Sequence, residues 1–188
     1  MFLQRIFALS LLAFSSTALA DSVDINLRDS SAQFQYGASM GRDTLGRSEI
    51  HLGFLYTNNN NTLGEMGLTV KDEVGSSTSG VTVGVGIKAL VAKVPNNKGA
   101  TALAIGGVVR FAPFSDTRFG MGGSVFLSPN IVTFGDAERI SETGLKMDYE
   151  VIPQAVVYLG YRRIKLGIKF APDAILDEGA HIGVRISF

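Results

Sequence analysis

The 188-residue sequence contains no cysteine and no tryptophan. No disulfide framework can hold this fold, so a packed core or a membrane has to. Histidine occurs only at His51 and His181, with no metal-ligand spacing around either, and neither a metal nor another cofactor is expected. Seventeen basic residues face seventeen acidic ones, which removes the electrostatic footprint of a nucleic-acid binder. Beyond Ala20, no apolar run approaches the about 20 residues of a transmembrane helix.

What is present begins at the N-terminus. Arg5 precedes an apolar run from Ile6 to Phe14 and a small-residue stretch ending Ala18-Leu19-Ala20. This is the order of a secretory signal peptide, with cleavage expected before Asp21. The chain therefore divides into residues 1–20, a cleaved signal, and residues 21–188, one mature domain. Hydrophobic residues make up 46 % of the chain and mean hydropathy is +0.23. Such apolar content without a helical span leaves two possibilities. One is a soluble all-β core, and the other is a membrane barrel with its apolar residues at every second position.

Alternation with period two recurs through the mature chain. Val23, Ile25 and Leu27 begin it, and Phe34, Tyr36, Ala38 and Met40 continue. Ile50, Leu52, Phe54 and Tyr56 follow, then a weaker set at Met66, Leu68 and Val70. The clearest stretch has Val81, Val83, Val85, Ile87, Ala89 and Val91 on one face, with Thr82, Gly84, Gly86 and Lys88 on the other. Leu103 to Phe111 and Phe119 to Leu127 repeat the pattern on either side of turn-forming residues. From Pro129 to Thr143 the alternation lapses into what reads as a long polar connection, with Phe134, Asp136 and Glu138 as its candidate contact residues. Strand character resumes from Leu145 to Leu159, where Pro153 suggests a bulge. A tight turn is expected at Gly160-Tyr161-Arg162-Arg163, followed by strands at Ile164–Phe170 and His181–Phe188. The expected fold is an antiparallel up-and-down β-barrel of about ten strands. Eight remain possible if the segments before Met40 form one bent strand.

The second face of these strands is rich in Gly, Ser, Thr and Ala, with Lys88, Arg110, Arg118, Lys165, Lys169 and Arg185 as candidate lumen charges. Small residues mixed with charge suit a narrow barrel interior, whereas a soluble exterior would carry more Lys, Glu and Asp. Within hydrocarbon every backbone group needs a partner, so such a sheet must close on itself. Tyr36, Tyr56, Phe111, Phe119, Tyr149, Tyr161 and Phe170 are candidates for interfacial girdles.

The last strand, with Ile182, Val184, Ile186 and a terminal Phe188 on one face, resembles the C-terminal assembly signal of bacterial outer-membrane barrels. That resemblance implies the barrel-assembly machinery and outer-membrane lipid as partners, in a Gram-negative outer membrane. Two further stretches are informative: Ser128-Pro129-Asn130-Ile131-Val132-Thr133-Phe134-Gly135-Asp136-Ala137-Glu138, and Tyr149 to Arg162. Together with the start Asp21-Ser22-Val23-Asp24-Ile25-Asn26-Leu27, they resemble the YfaZ family of small outer-membrane proteins. The family implies a barrel in the outer membrane, without a biochemical activity.

Chemistry is sparse. Lipid-modifying deacylase barrels place His and Ser two apart on one strand, but the residues two after His51 and His181 are Gly53 and Gly183. No enzyme is expected. Gly84, Gly86, Gly120, Gly122 and Gly123 stand at strand spacing, with no following helix to make a phosphate loop. The expectation is a plugged structural or interaction-type barrel, or at most a narrow channel, most simply a monomer. The alternative is a pore for a small solute or a hydrophobic ligand.

Overall fold

A computed structural model describes residues 21–43, 46–74, 80–95, 98–113, 118–168 and 172–188. The signal segment 1–20 therefore lies outside the described residues, as do Lys169 and Phe170. The strands are β1 (Asp21–Leu27), β2 (Ser31–Asp43), β3 (Gly46–Thr57), β4 (Thr62–Val74), β5 (Val81–Val94), β6 (Lys98–Phe111), β7 (Phe119–Ser128), β8 (Thr133–Gly135), β9 (Ala137–Ile152), β10 (Ala155–Ile168) and β11 (Ala174–Ser187). A 3-10 turn, Asn130–Val132, stands before β8.

All pairings are antiparallel, each long strand joins its chain neighbours, and β1 pairs with β11. Ten strands thus close into an up-and-down barrel, with the three-residue β8 added at the edge of β6. The segments before Met40 are two separate strands, which removes the eight-strand option. Closure at β1–β11 brings Ser22 opposite Ser187, so the start of β1 and the end of β11 lie at one end of the barrel, the terminal end. The opposite, far end carries the β1–β2, β3–β4, β5–β6, β7–β9 and β10–β11 connections.

The count of ten agrees with expectation, but the partition differs after Pro129. The expected connection 129–143 is short, because β9 already begins at Ala137. Its first residues look polar because Glu138 and Arg139 are exposed, while Ala137 and Ile140 are buried in the lumen. Pro153 and Gln154 form the β9–β10 turn, so Pro153 is no bulge and residues 145–159 belong to two strands. The expected turn at Gly160–Arg163 does not exist: these residues run through the middle of β10 in register with both neighbours.

The outward face is apolar all the way round. Val85 is 70 % exposed, Ile105 66 % and Leu145 67 %, and they are joined by Ile25, Phe34, Phe54, Met66 and Leu159. An apolar belt of this extent is far beyond the patches that soluble monomers expose. Ile182, Val184, Ile186 and Phe188 all lie on it. Phe111, Phe119 and Tyr149 gather near the terminal end on adjacent strands, with Phe119 opposite Tyr149. Tyr56 stands at the far end of β3, whereas Tyr161 sits halfway along β10.

Candidate functional site

Inward residues form three layers. At the far end lies an apolar cap. Leu55 near the end of β3, Leu63 at the start of β4, Leu90 near the end of β5, Ile140 near the start of β9, and Ile164 and Leu166 near the end of β10 are all under 2 % exposed or nearly so. Ala92, Ala102, Phe126 and Leu176 join them in one cluster. Ile164 and Leu166 were expected on the outward face. Because β10 runs unbroken from Ala155, the parity set by inward Tyr158 and Arg162 carries them into the lumen.

Below the cap lies a layer of charge. Lys88 Nζ donates to both Glu142 oxygens at 2.9 and 3.0 Å and to Glu65 Oε2 at 3.3 Å, and sits 4.4 Å from the Phe126 ring centroid. Glu65 also accepts from Gln33 at 3.2 Å and from Gln35. Arg162 donates twice to Asp177 Oδ2, at 2.9 and 2.6 Å, and reaches Asn26 and Gln33 across the lumen. Lys88 and Arg162 are each 7 % exposed as side chains, so every partner here is needed to offset desolvation.

The third layer faces the terminal end. Lys71 pairs with Glu49 at 2.5 Å, and Arg110 with Asp148 at 2.6 Å. Arg185 donates to Asp24 Oδ2 through Nε and Nη2, at 3.0 and 2.8 Å, across the β1–β11 seam. Tyr158 Oη donates to the other Asp24 oxygen at 2.5 Å. Lys146 shares the layer, with Nζ 5.6 Å from the Tyr158 ring centroid. Side-chain exposure rises here to 32 % for Lys71, 37 % for Arg185 and 40 % for Arg110. The lumen is therefore a cup, wet at the terminal end and dry at the far end. Its cavity is about 280 Å³ and reaches from Lys71 and Arg110 up to Lys88.

Inward glycines act as slots for long polar side chains. Gln35, Gly53 and Glu65 lie in one register row across β2, β3 and β4, and Glu65 passes over Gly53 to Gln35. Arg110 on β6 crosses Gly120 on β7 to Asp148 on β9. Tyr158 on β10 crosses Gly183 on β11 to Asp24 on β1. A β-carbon at any of these glycines would collide with the side chain passing over it.

Of the expected lumen charges, Lys88, Arg110 and Arg185 point into the cup. Lys165 does not: it faces out near the far end and pairs with Asp173 at 2.7 Å. It follows inward Ile164 on a strand, which forces it to the other face. Arg118 is an exposed turn residue before β7 rather than a lumen group. Lys169 lies outside the described residues. Of the carboxylates that complete the pairs, Glu49 and Glu65 are legible in the sequence as lumen groups near His51, and Glu142 reads there as part of the polar connection. Asp24, Asp148 and Asp177 are not legible as lumen groups; for Asp148 and Asp177 the available signal is even spacing from Gly144 and Gly179 on the same strands.

The expected contact residues at the far end form an ordered clasp. Asp136 Oδ2 accepts from Gly99 N at 2.9 Å, while Asp136 N donates to Gly99 O at 3.0 Å. Gly135, at φ +92°, lies so close to Gly99 O that no side chain fits. Phe134 is 60 % exposed beside the clasp, and Glu138 is exposed on β9 rather than in a loop. Neither histidine is hydrogen-bonded to a serine hydroxyl among the described residues. His51 lies over Gly67 and His181 over Gly160.

An apolar belt outside and paired charges within make this a membrane-type barrel. No curated protein matches the chain. Among solved structures it is similar to the translocator domain of the autotransporter NalP from Neisseria meningitidis. Identity is 13 % and the TM-score 0.33, over 100 % of this chain and 95 % of that one. The family model described as "YfaZ precursor" matches residues 3–188, nearly the whole sequence. The chain belongs to the YfaZ family.

Proposed function

We propose that this protein is an integral barrel of the bacterial outer membrane with a structural or interaction role, and that it does not conduct. The observation that carries the reading is the apolar cap. Leu55, Leu63, Leu90, Ile140, Ile164 and Leu166 fill the far end of the lumen and present no hydrogen-bonding group to a permeating solute. A ten-stranded barrel lies between eight strands, where side chains just fill the interior, and the about sixteen of an aqueous channel. Here six large apolar side chains occupy the lumen at one end. A precursor with a signal segment and a C-terminal aromatic strand suits export, insertion by the barrel-assembly machinery and residence among outer-membrane lipids.

The cap weighs against a through-pore, and the reading includes no catalytic step. Two experiments test it. The mature chain, refolded in detergent, should migrate differently on an SDS gel before and after boiling, as closed membrane barrels do. In planar bilayers it should give no discrete conductance steps. Regular single-channel steps would replace this reading with the narrow-channel one. Unchanged lipid A profiles in cells with and without the protein are expected, and a changed acylation pattern would reopen the enzyme reading.

A further inference from the structure

The terminal layer of the cup contains more cations than carboxylates. Its cations are Lys71, Arg110, Lys146 and Arg185, and its carboxylates are Asp24, Glu49 and Asp148. Each carboxylate is already engaged: Asp24 by Arg185 and Tyr158, Glu49 by Lys71, and Asp148 by Arg110. Lys146 has no carboxylate partner among the described residues, only the ring of Tyr158. Glu142, on the same strand, lies four residues away, about 13 Å along a strand, and is held by Lys88. The same cavity is lined by both histidines. His51 Nε2 and His181 Nδ1 are buried there without a hydrogen-bond partner among the described residues. Tyr158 joins the set, with His181 edge-on to its ring at 6.0 Å between centroids and Lys146 over its face.

An ammonium group without a counter-charge and two unmatched imidazole nitrogens in one recess describe half of a polar site. An anion with several acceptor oxygens satisfies such groups together, through charge-assisted hydrogen bonds. Arg185 and Lys71 line the same recess, each balanced by one carboxylate, Asp24 and Glu49, so that Lys146 leaves the layer with an excess of positive charge. The volume of about 280 Å³ sits just below the range of drug-sized pockets, so the fit is to a small ion or metabolite fragment. From this geometry we infer that the cup binds a small oxyanion, with Lys146 as its counter-charge and His51 and His181 as hydrogen-bonding groups. The ion enters from the terminal end. The site rests on the one-ended lumen proposed above, but the two fail separately, because conductance tests the cap and titration tests the recess.

The test uses the untagged mature barrel refolded in detergent, with inorganic phosphate as the probe. Since the chain has only two histidines, their imidazole signals can be followed directly by NMR. Phosphate should shift both signals saturably, at constant pH and ionic strength, while chloride should not. Lys146→Met should weaken the effect at least tenfold, and Lys146→Arg should retain it within about threefold. A parallel acetate titration that also saturates would support the site and widen its ligand class to carboxylates. Equal responses to phosphate and chloride in the unmodified protein would overturn the proposal, whether or not the variants fold. So would a Lys146→Met protein that binds phosphate as the parent does.

Discussion

Tyr158 lies over Gly183, its register partner on the next strand, and the missing side chain there is what lets the phenol reach Asp24 on the strand beyond. Gly183→Ala should therefore displace the ring, break its hydrogen bond and loosen the β1–β11 seam. The expected loss is about 1–3 kcal/mol, the range for leaving a buried polar group unsatisfied. In a Tyr158→Ala background the same substitution should cost much less. Urea unfolding of the four proteins in lipid vesicles gives the coupling directly, and additive losses would mean that Gly183 does not serve Tyr158.

Among the described residues, Lys88 alone is ion-paired to both Glu65 and Glu142 in the dry middle layer. Lys88→Met should destabilise the barrel by about 3–5 kcal/mol, as expected when one partner of a buried ion pair is removed. Adding Glu142→Gln to that variant should recover part of the loss by removing one uncompensated carboxylate. Both variants should remain non-conducting, since the cap above the layer is untouched. The same unfolding assay and bilayer recordings check the two halves of this expectation.

Much of this architecture was legible before any coordinates. Val81 to Val91 reads as a strand because every odd residue is apolar and the even ones up to Lys88 are small or charged, and the barrel uses it that way. The chain after Pro129 was harder for identifiable reasons. Gly160, Arg162 and Arg163 have the composition of a turn, yet Gly160 makes room for His181, and Arg162 holds Asp177 on the next strand and reaches on to Asn26 and Gln33. The cap was hidden altogether. Leu55, Leu63, Leu90 and Ile140 occupy positions that period-two logic assigns to a polar interior, and their purpose shows only when the far ends of several strands converge. Lys146 likewise stands out only against the ion pairs of its neighbours.

Val85 is the most exposed apolar residue of β5 and faces directly outward. Val85→Arg should lower the stability of the barrel in a bilayer by about 2–4 kcal/mol, the cost of a midplane charge on a lipid face. Thr82, inward and near the wet end of the same strand, is the better lumen control, and Thr82→Lys should cost far less. Gly84 is unsuitable for that comparison, because a β-carbon there would stand 2.8 Å from Val70 O and from Lys71 Cγ. Equal losses at Val85 and Thr82 would mean that β5 does not face lipid.

Phe188 lies on the outward face just beyond β11, 66 % exposed, and makes no contribution to the buried cluster. Its removal should reduce the amount of protein recovered in the outer-membrane fraction of cells. Refolding of the same truncated chain in detergent should proceed as for the full one. Loss in cells with normal refolding would identify the residue as an assembly signal; equal impairment in both settings would make it a structural element.

Protons cross proteins along files of water, and a file needs groups to bond to at each step. Leu55, Leu63, Leu90, Ile140, Ile164 and Leu166 offer none, so no such file threads the cap. What does cross that level is a chain of fixed side chains: Arg162 holds Asp177 at 2.6 Å, and Asp177 holds Arg28 at 3.2 Å in the β1–β2 connection at the far end. The two mouths of this barrel are therefore joined by a strut of paired charge that no solute enters. A partner that drew Arg28 outward at the far end would loosen Arg162 in the charged layer below.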